Sequence, residues 1–144
     1  ADRERYPGGM RKGPRQWQLT AALITTAAVI WMFAPTLPMT WAPSPTERLI
    51  TWHSWADSIA FGYLLLPPLV LAAGLIAAIA GWVEVARRRA TLLPVAFCAL
   101  AIVLGATLLG IGGLHIMVVI PVALLLIAAG LYGHVRRLTR VAAA

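Results

Sequence analysis

His53 and Asp57 stand four residues apart in the run Thr-Trp-His-Ser-Trp-Ala-Asp, a spacing that makes two side chains neighbours on one helical face. A carboxylate beside an imidazole orients the ring and decides which nitrogen carries the proton. Such a pair can relay protons to a quinone head group or steady a metal ligand. Its plainer use is an ordinary hydrogen bond at a helix start. His115 is followed two residues later by Met117, and Met32 and Met39 add two more soft donors. Imidazole with thioether suits copper, and two imidazoles can hold a haem. The methionines are scattered, however, and no compact ligand cluster is visible. His53, Asp57 and His115 are therefore the candidate cofactor-binding set, for haem or quinone, and no metal site is expected.

The other reactive groups have simpler readings. Cys98 is the single cysteine and lies in an apolar run, where it packs as a small residue and has no partner for an internal disulfide. Glu84 precedes Arg87, Arg88 and Arg89 and is expected to form a local ion pair with them. His134 follows an apolar stretch, a place where a cation suits a helix C-terminus and lipid head groups. Gly-x-Ser-x-Gly, His-Glu-x-x-His and phosphate-loop motifs are all missing. No catalytic residue is assigned, and the chain is not expected to be an enzyme on its own, although it could belong to a multi-subunit oxidoreductase.

What must position these residues is set by composition. Of 144 residues, 60% are hydrophobic and 12% charged, against about 45–50% and about 25% in soluble domains. Lipid has to solvate so much apolar surface. The net charge of +7 comes from short basic blocks between apolar stretches, without interleaved aromatics or a reading helix, so nucleic acid is excluded as a partner. Four segments approach the roughly 20 residues that cross a bilayer core: about 17–35, 57–83, 91–110 and 114–132. The first is too long for a signal-peptide core and lacks a small-residue cleavage site, so it is expected to be retained. Short connections make consecutive spans antiparallel neighbours.

With four spans, Arg3, Arg5, Arg11, Lys12 and Arg15 fall on the same side as Arg87, Arg88, Arg89, Arg136, Arg137 and Arg140, and Arg48 falls opposite. The positive-inside rule then places both termini in the cytoplasm. The expected fold is an all-α integral membrane protein, a four-transmembrane-helix antiparallel bundle. Its transmembrane domain covers 17–135, between basic cytoplasmic tails at 1–16 and 136–144. Trp17, Trp82 and Tyr132 mark the inner interface; Trp41, Trp52 and Trp55 mark the outer one. Pro67 and Pro68 fall inside the long second span and predict a kink. Small residues four apart (Ala73, Ala77, Gly81; Ala101, Gly105; Ala129, Gly133) would let helices approach closely.

The outer loop, 36–56, is the informative segment. Ser44-Pro45-Thr46-Glu47 carries a capping box with proline at the first helical position. It predicts a short interfacial helix with Leu49, Trp52 and Ala56 on one stripe. Exposed there, Trp41, Trp52 and Trp55 would serve a partner as interface anchors; Arg11, Lys12 and Arg15 would meet a partner or anionic lipid from the other side.

No charge lies near the middle of any span, which counts against an ion-coupled transporter. The expected function is a small non-catalytic accessory subunit of a larger membrane complex, respiratory or otherwise energy-converting, with other membrane subunits and the bilayer, anionic lipids included, as partners. No cofactor is expected in that role. A haem- or quinone-binding anchor with an outer-side site is the first alternative, and a small oligomeric transporter or channel the second. Arginine over lysine and abundant alanine fit a high-GC bacterial genome, hence a multi-pass protein of the bacterial inner membrane.

Overall fold

A computed structural model describes residues 13–57, 65–112 and 115–144. Four helices, α1 (Pro14–Phe33), α2 (Leu66–Arg87), α3 (Leu93–Gly112) and α4 (Ile116–Ala143), are each long and apolar enough to cross a membrane. Each packs on its neighbours in sequence, and α4 closes the ring against α1. One end of the bundle carries the α2–α3 loop with its arginines; the other carries a two-stranded antiparallel hairpin, β1 (Leu37–Ser44) and β2 (Glu47–His53).

The helix ends follow from local chemistry. Pro14 opens α1, where its missing N–H is no loss. Ala34, held extended ahead of Pro35, closes it. Pro67 and Pro68 sit in the first turn of α2, where the backbone donors they lack have no intrahelical acceptor anyway. The two prolines therefore make no kink within α2, which begins at them; residues 58–64 of the expected second span lie outside the described residues. The last helix continues through Arg136, Arg137 and Arg140 to Ala143 instead of giving way to a tail.

Within α4, Pro121 cannot donate to the carbonyl of Met117, four residues earlier. The indole Nε1–H of Trp31 fills that place, donating to Met117 O at 2.9 Å. One helix thus repairs the ladder of another.

Two of the three small-residue rows are close contacts. Gly81 faces Tyr132, whose hydroxyl leaves no room for an added Cβ, and a Cβ at Gly105 would lie 2.7 Å from Val122 Cγ2. Ala77 and Ala101 are fully buried on the same faces. Gly133, in the third row, has open space beside it. Tyr132 is not an interfacial anchor: it is buried in the bundle, with its hydroxyl 3.3 Å from Thr25 Oγ1.

The expected interfacial helix is a β-hairpin. Ser44 Oγ does accept from the Glu47 N–H at 3.2 Å, the bond a capping box would make, but here it closes the Pro45–Thr46 turn. After Glu47 the chain runs through Ile50, Thr51 and Trp52, residue types that favour strands, and β1 stands ready to pair. Pro43 falls where the register shifts between Trp41 and Ser44, a place where a missing backbone donor is tolerated.

Candidate functional site

Strand alternation puts Thr51 and His53 on one face of β2 and Ile50 and Trp52 on the other. On the first face runs a chain of side-chain hydrogen bonds. Trp41 Nε1 donates to Thr51 Oγ1 at 2.7 Å, Thr51 Oγ1 lies 2.8 Å from His53 Nε2, and His53 Nδ1 lies 3.0 Å from Asp57 Oδ2. An indole can only donate, so Thr51 accepts from Trp41, and its own hydroxyl proton can go to Nε2 whenever the imidazole carries its proton on Nδ1 alone. The Nδ1–H then points at the carboxylate. The expected His53–Asp57 pair is thus made, but from a strand end and a following turn, not from one helical face. That turn is fixed by Asp57 N–H donating to Ser54 O at 3.0 Å and by Trp55 N–H donating to Met32 O at 3.0 Å.

His115 does a different job. It caps α4, with Nδ1 accepting from the Met117 N–H at 3.2 Å. That bond leaves the proton of a neutral ring on Nε2. Its ring meets Trp52 edge-on, centroids 5.5 Å apart. Trp52 leaves β2 on the face opposite His53, so His115 packs against a side chain that takes no part in the His53–Asp57 row. The two histidines share no hydrogen-bond or ring partner among the described residues. Among the described residues no three His, Cys, Asp or Glu side chains gather to hold a metal. Met32 is fully buried in the core, and Met117 contributes its backbone, to Trp31.

A cleft of about 290 Å³ opens under the hairpin. The β1 segment from Leu37 to Trp41 lines it on the hairpin side, Leu108 and Val118 line it on the helix side, and His115 gives it one imidazole. Its lining is more apolar than polar, as in small-molecule sites generally.

The three outer tryptophans divide. Trp41 and Trp52 are 44% and 46% exposed. Trp55 is fully buried beneath the hairpin, its Nε1 without a hydrogen-bond partner among the described residues. It anchors the hairpin and cannot meet a partner directly. Leu49 and Ile50, each 57% exposed, extend the apolar surface toward the hairpin tip.

At the other end of the bundle, Glu84 departs from expectation. Its Oε1 accepts from both the backbone N–H and the hydroxyl of Thr91, and its backbone carbonyl accepts from Arg89. It is 96% buried, being 4% exposed, and it forms no ion pair with Arg87, Arg88 or Arg89. A buried carboxylate gains more from two fixed donors than from mobile surface guanidiniums. Gln18 joins this group by donating from Nε2 to Arg89 O at 3.4 Å. His134 packs edge-on against Trp17, centroids 5.9 Å apart. Arg15 is exposed on the first turn of α1; Arg11 and Lys12 lie outside the described residues.

The Trp41–Thr51 link and the Trp31–Met117 bond escaped the sequence reading. Pro121 was the available signal for the second, since a proline inside a span announces a carbonyl in need of a donor. The chain matches no protein-family model, no curated protein and no solved structure. The site defines a class only: a bundle of four membrane-compatible helices roofed at one end by a braced β-hairpin.

Proposed function

We propose that this chain is a non-catalytic subunit of a larger membrane assembly in the bacterial inner membrane, one that converts energy, and that the hairpin is its docking element. Its termini and arginine end face the cytoplasm, in accord with the charge asymmetry of the sequence. One observation carries the reading. A two-stranded hairpin is marginal in water, yet this one is braced by Trp55 and the hydrogen-bonded row from Trp41 to Asp57, while Trp41, Leu49, Ile50 and Trp52 stay exposed. Bracing an apolar projection keeps its docking surface in one shape, which lowers the ordering cost of association. Among the described residues each strand also has one unpaired edge, able to accept a further strand.

The test is photo-crosslinking in native membranes from Leu49 or Ile50, each replaced by a photoreactive phenylalanine. Docking predicts a discrete adduct with a larger membrane protein. The same probe at Val103, 63% exposed on a helix, should capture lipid. Lipid adducts alone from all three positions, with the chain migrating by itself on native gels, would sink the proposal.

The cleft supports a second reading, a quinone-binding anchor in which the His115 imidazole faces the head group. Haem is the poorer occupant, since both ring nitrogens of His53 are already engaged, Nε2 with Thr51 and Nδ1 with Asp57. A visible spectrum and a quinone extraction of the purified chain separate these. An oligomeric transporter has no specific observation in its favour.

A further inference from the structure

Val95, Gly133, Arg136, Arg137 and Arg140 line a second cleft, of about 180 Å³, between the first turn of α3 and the last turns of α4. Three guanidiniums within five residues repel one another and call for an anion. Among the described residues none is supplied: the one ion pair there is His53–Asp57 at the far end, and Glu84 is turned inward to Thr91. The cleft is roomy because Gly133 has nothing within 4 Å of where its side chain would be. One wall, Val95, is apolar, and the neighbouring Leu92 and Leu93 are more than half exposed.

Depth identifies the anion. The 28 residues of α4 span about 42 Å at 1.5 Å per residue, against roughly 30 Å of hydrocarbon. If Ile116 starts at one hydrocarbon boundary, Arg136 to Arg140 lie just beyond the other, at head-group level. Guanidinium forks match phosphate oxygens in pairs. We propose that this cleft binds the phosphate of an anionic phospholipid, with its acyl chains lying along the apolar flank formed by Val95 and the exposed leucines. The site needs only that the helices lie in a bilayer; it is independent of the docking role of the hairpin.

The test uses the full chain in a neutral detergent, with phosphatidylglycerol or phosphatidylcholine added and retained lipid read by native mass spectrometry. Wild type should retain phosphatidylglycerol in preference. The R137Q/R140Q pair should lose about 20-fold of that retention, while R87Q/R88Q, an equal charge change at the same end outside the cleft, should lose under about 3-fold. Gly133→Leu fills the cleft without touching charge and should reproduce the loss, with helicity by circular dichroism unchanged. Equal losses in the two arginine pairs, retention unaffected by Gly133→Leu, or no preference of wild type for the anionic lipid would each overturn the site. Inorganic phosphate alone, titrated without lipid, should bind far more weakly; equal affinity would overturn the assignment to lipid.

Discussion

Replacing Gly105 by alanine adds one carbon where α3 touches α4. That carbon would lie 2.7 Å from Val122 Cγ2 but 3.9 Å from Val122 Cβ. Carbon atoms in contact normally sit about 3.5–4.0 Å apart, so the helices must part by about 1 Å or Val122 must rotate. Rotation is a poor escape, since a helical valine holds essentially one χ1 rotamer. Overpacking of this kind costs about 1–3 kcal/mol. Alanine in place of glycine in a helix returns about 0.5–1 kcal/mol, which leaves Gly105→Ala destabilising by about 1–2 kcal/mol. Val122→Ala removes Cγ2 and leaves only the comfortable 3.9 Å contact. In that background Gly105→Ala should be stabilising, by about 0.5–1 kcal/mol. Reversible unfolding in mixed micelles on added dodecyl sulfate, followed by far-ultraviolet circular dichroism, would measure all four proteins. The same destabilisation by Gly105→Ala in both backgrounds would refute the contact and, with it, the α3–α4 packing.

Trp31→Phe should cost about 1–2 kcal/mol by leaving the Met117 carbonyl without a donor, and clearly less in a Pro121→Ala background, where the restored N–H takes the carbonyl; additivity in the same unfolding assay would exclude the repair. Glu84→Ala strips Thr91 of its acceptor and should lower stability by about 1–3 kcal/mol, whereas Glu84→Gln keeps an oxygen in place and should cost much less; a Gln variant as damaged as the Ala one would mean that charge, not geometry, matters there. Thr51→Val severs the hydrogen-bonded row at about the cost of one net bond, about 1 kcal/mol. Hairpin amides should then exchange roughly five-fold faster with helix amides unchanged, and equal protection would show the row to be idle. Because Cys98 is fully buried, wild type should react slowly with a membrane-impermeant maleimide, and Thr46→Cys should be labelled rapidly in intact spheroplasts; labelling only after lysis would invert the orientation.

The four helices were legible because span length and apolar runs are set by residues already fixed in the sequence, independent of what they pack against. Their ends were less so: the double proline at 67 and 68 reads equally as a kink or as a beginning, and which one it is depends on what precedes it. The hairpin departs from the expected helix for a definite physical reason. Ser44 accepting from the Glu47 N–H is common to a helix N-cap and a tight turn, so the local cue was sound and its continuation was not. The choice between helix and strand after Glu47 was made by β1, a partner about ten residues back that no helical periodicity announces. His53 and Asp57 meet all the same, because a strand end followed by a turn can close the same separation as a helical turn. That His115 packs on Trp52 instead of joining them depends on which face of β2 Trp52 occupies, and that follows only once the strand exists.

The hairpin's position follows from unequal helices. Gly74 of α2 sits beside Val29 and Met32, near the end of α1, yet α2 begins at Leu66. Eight residues, about 12 Å at 1.5 Å each, therefore rise past the point where α1 stops at Phe33. An open step of that height would expose Val70 and Leu71 and leave the last carbonyls of α1 without donors. The chain covers the step with its own next segment: Trp55 is buried in the same cluster as Val70, Leu71, Leu37 and Met39, and its N–H donates to the carbonyl of Met32. The hairpin base is thus tied to the bundle by the need to complete its core, and only the far half, Trp41 through Ile50, is left without such a duty. Conversion of Trp55 to alanine should loosen hairpin and α1 end together, by about 3–5 kcal/mol for a buried tryptophan, and should abolish crosslinking from Leu49 even though Trp55 touches no partner. Preserved crosslinking in a stably folded Trp55→Ala protein would mean that the tip docks as a flexible segment, and that its bracing serves the bundle alone.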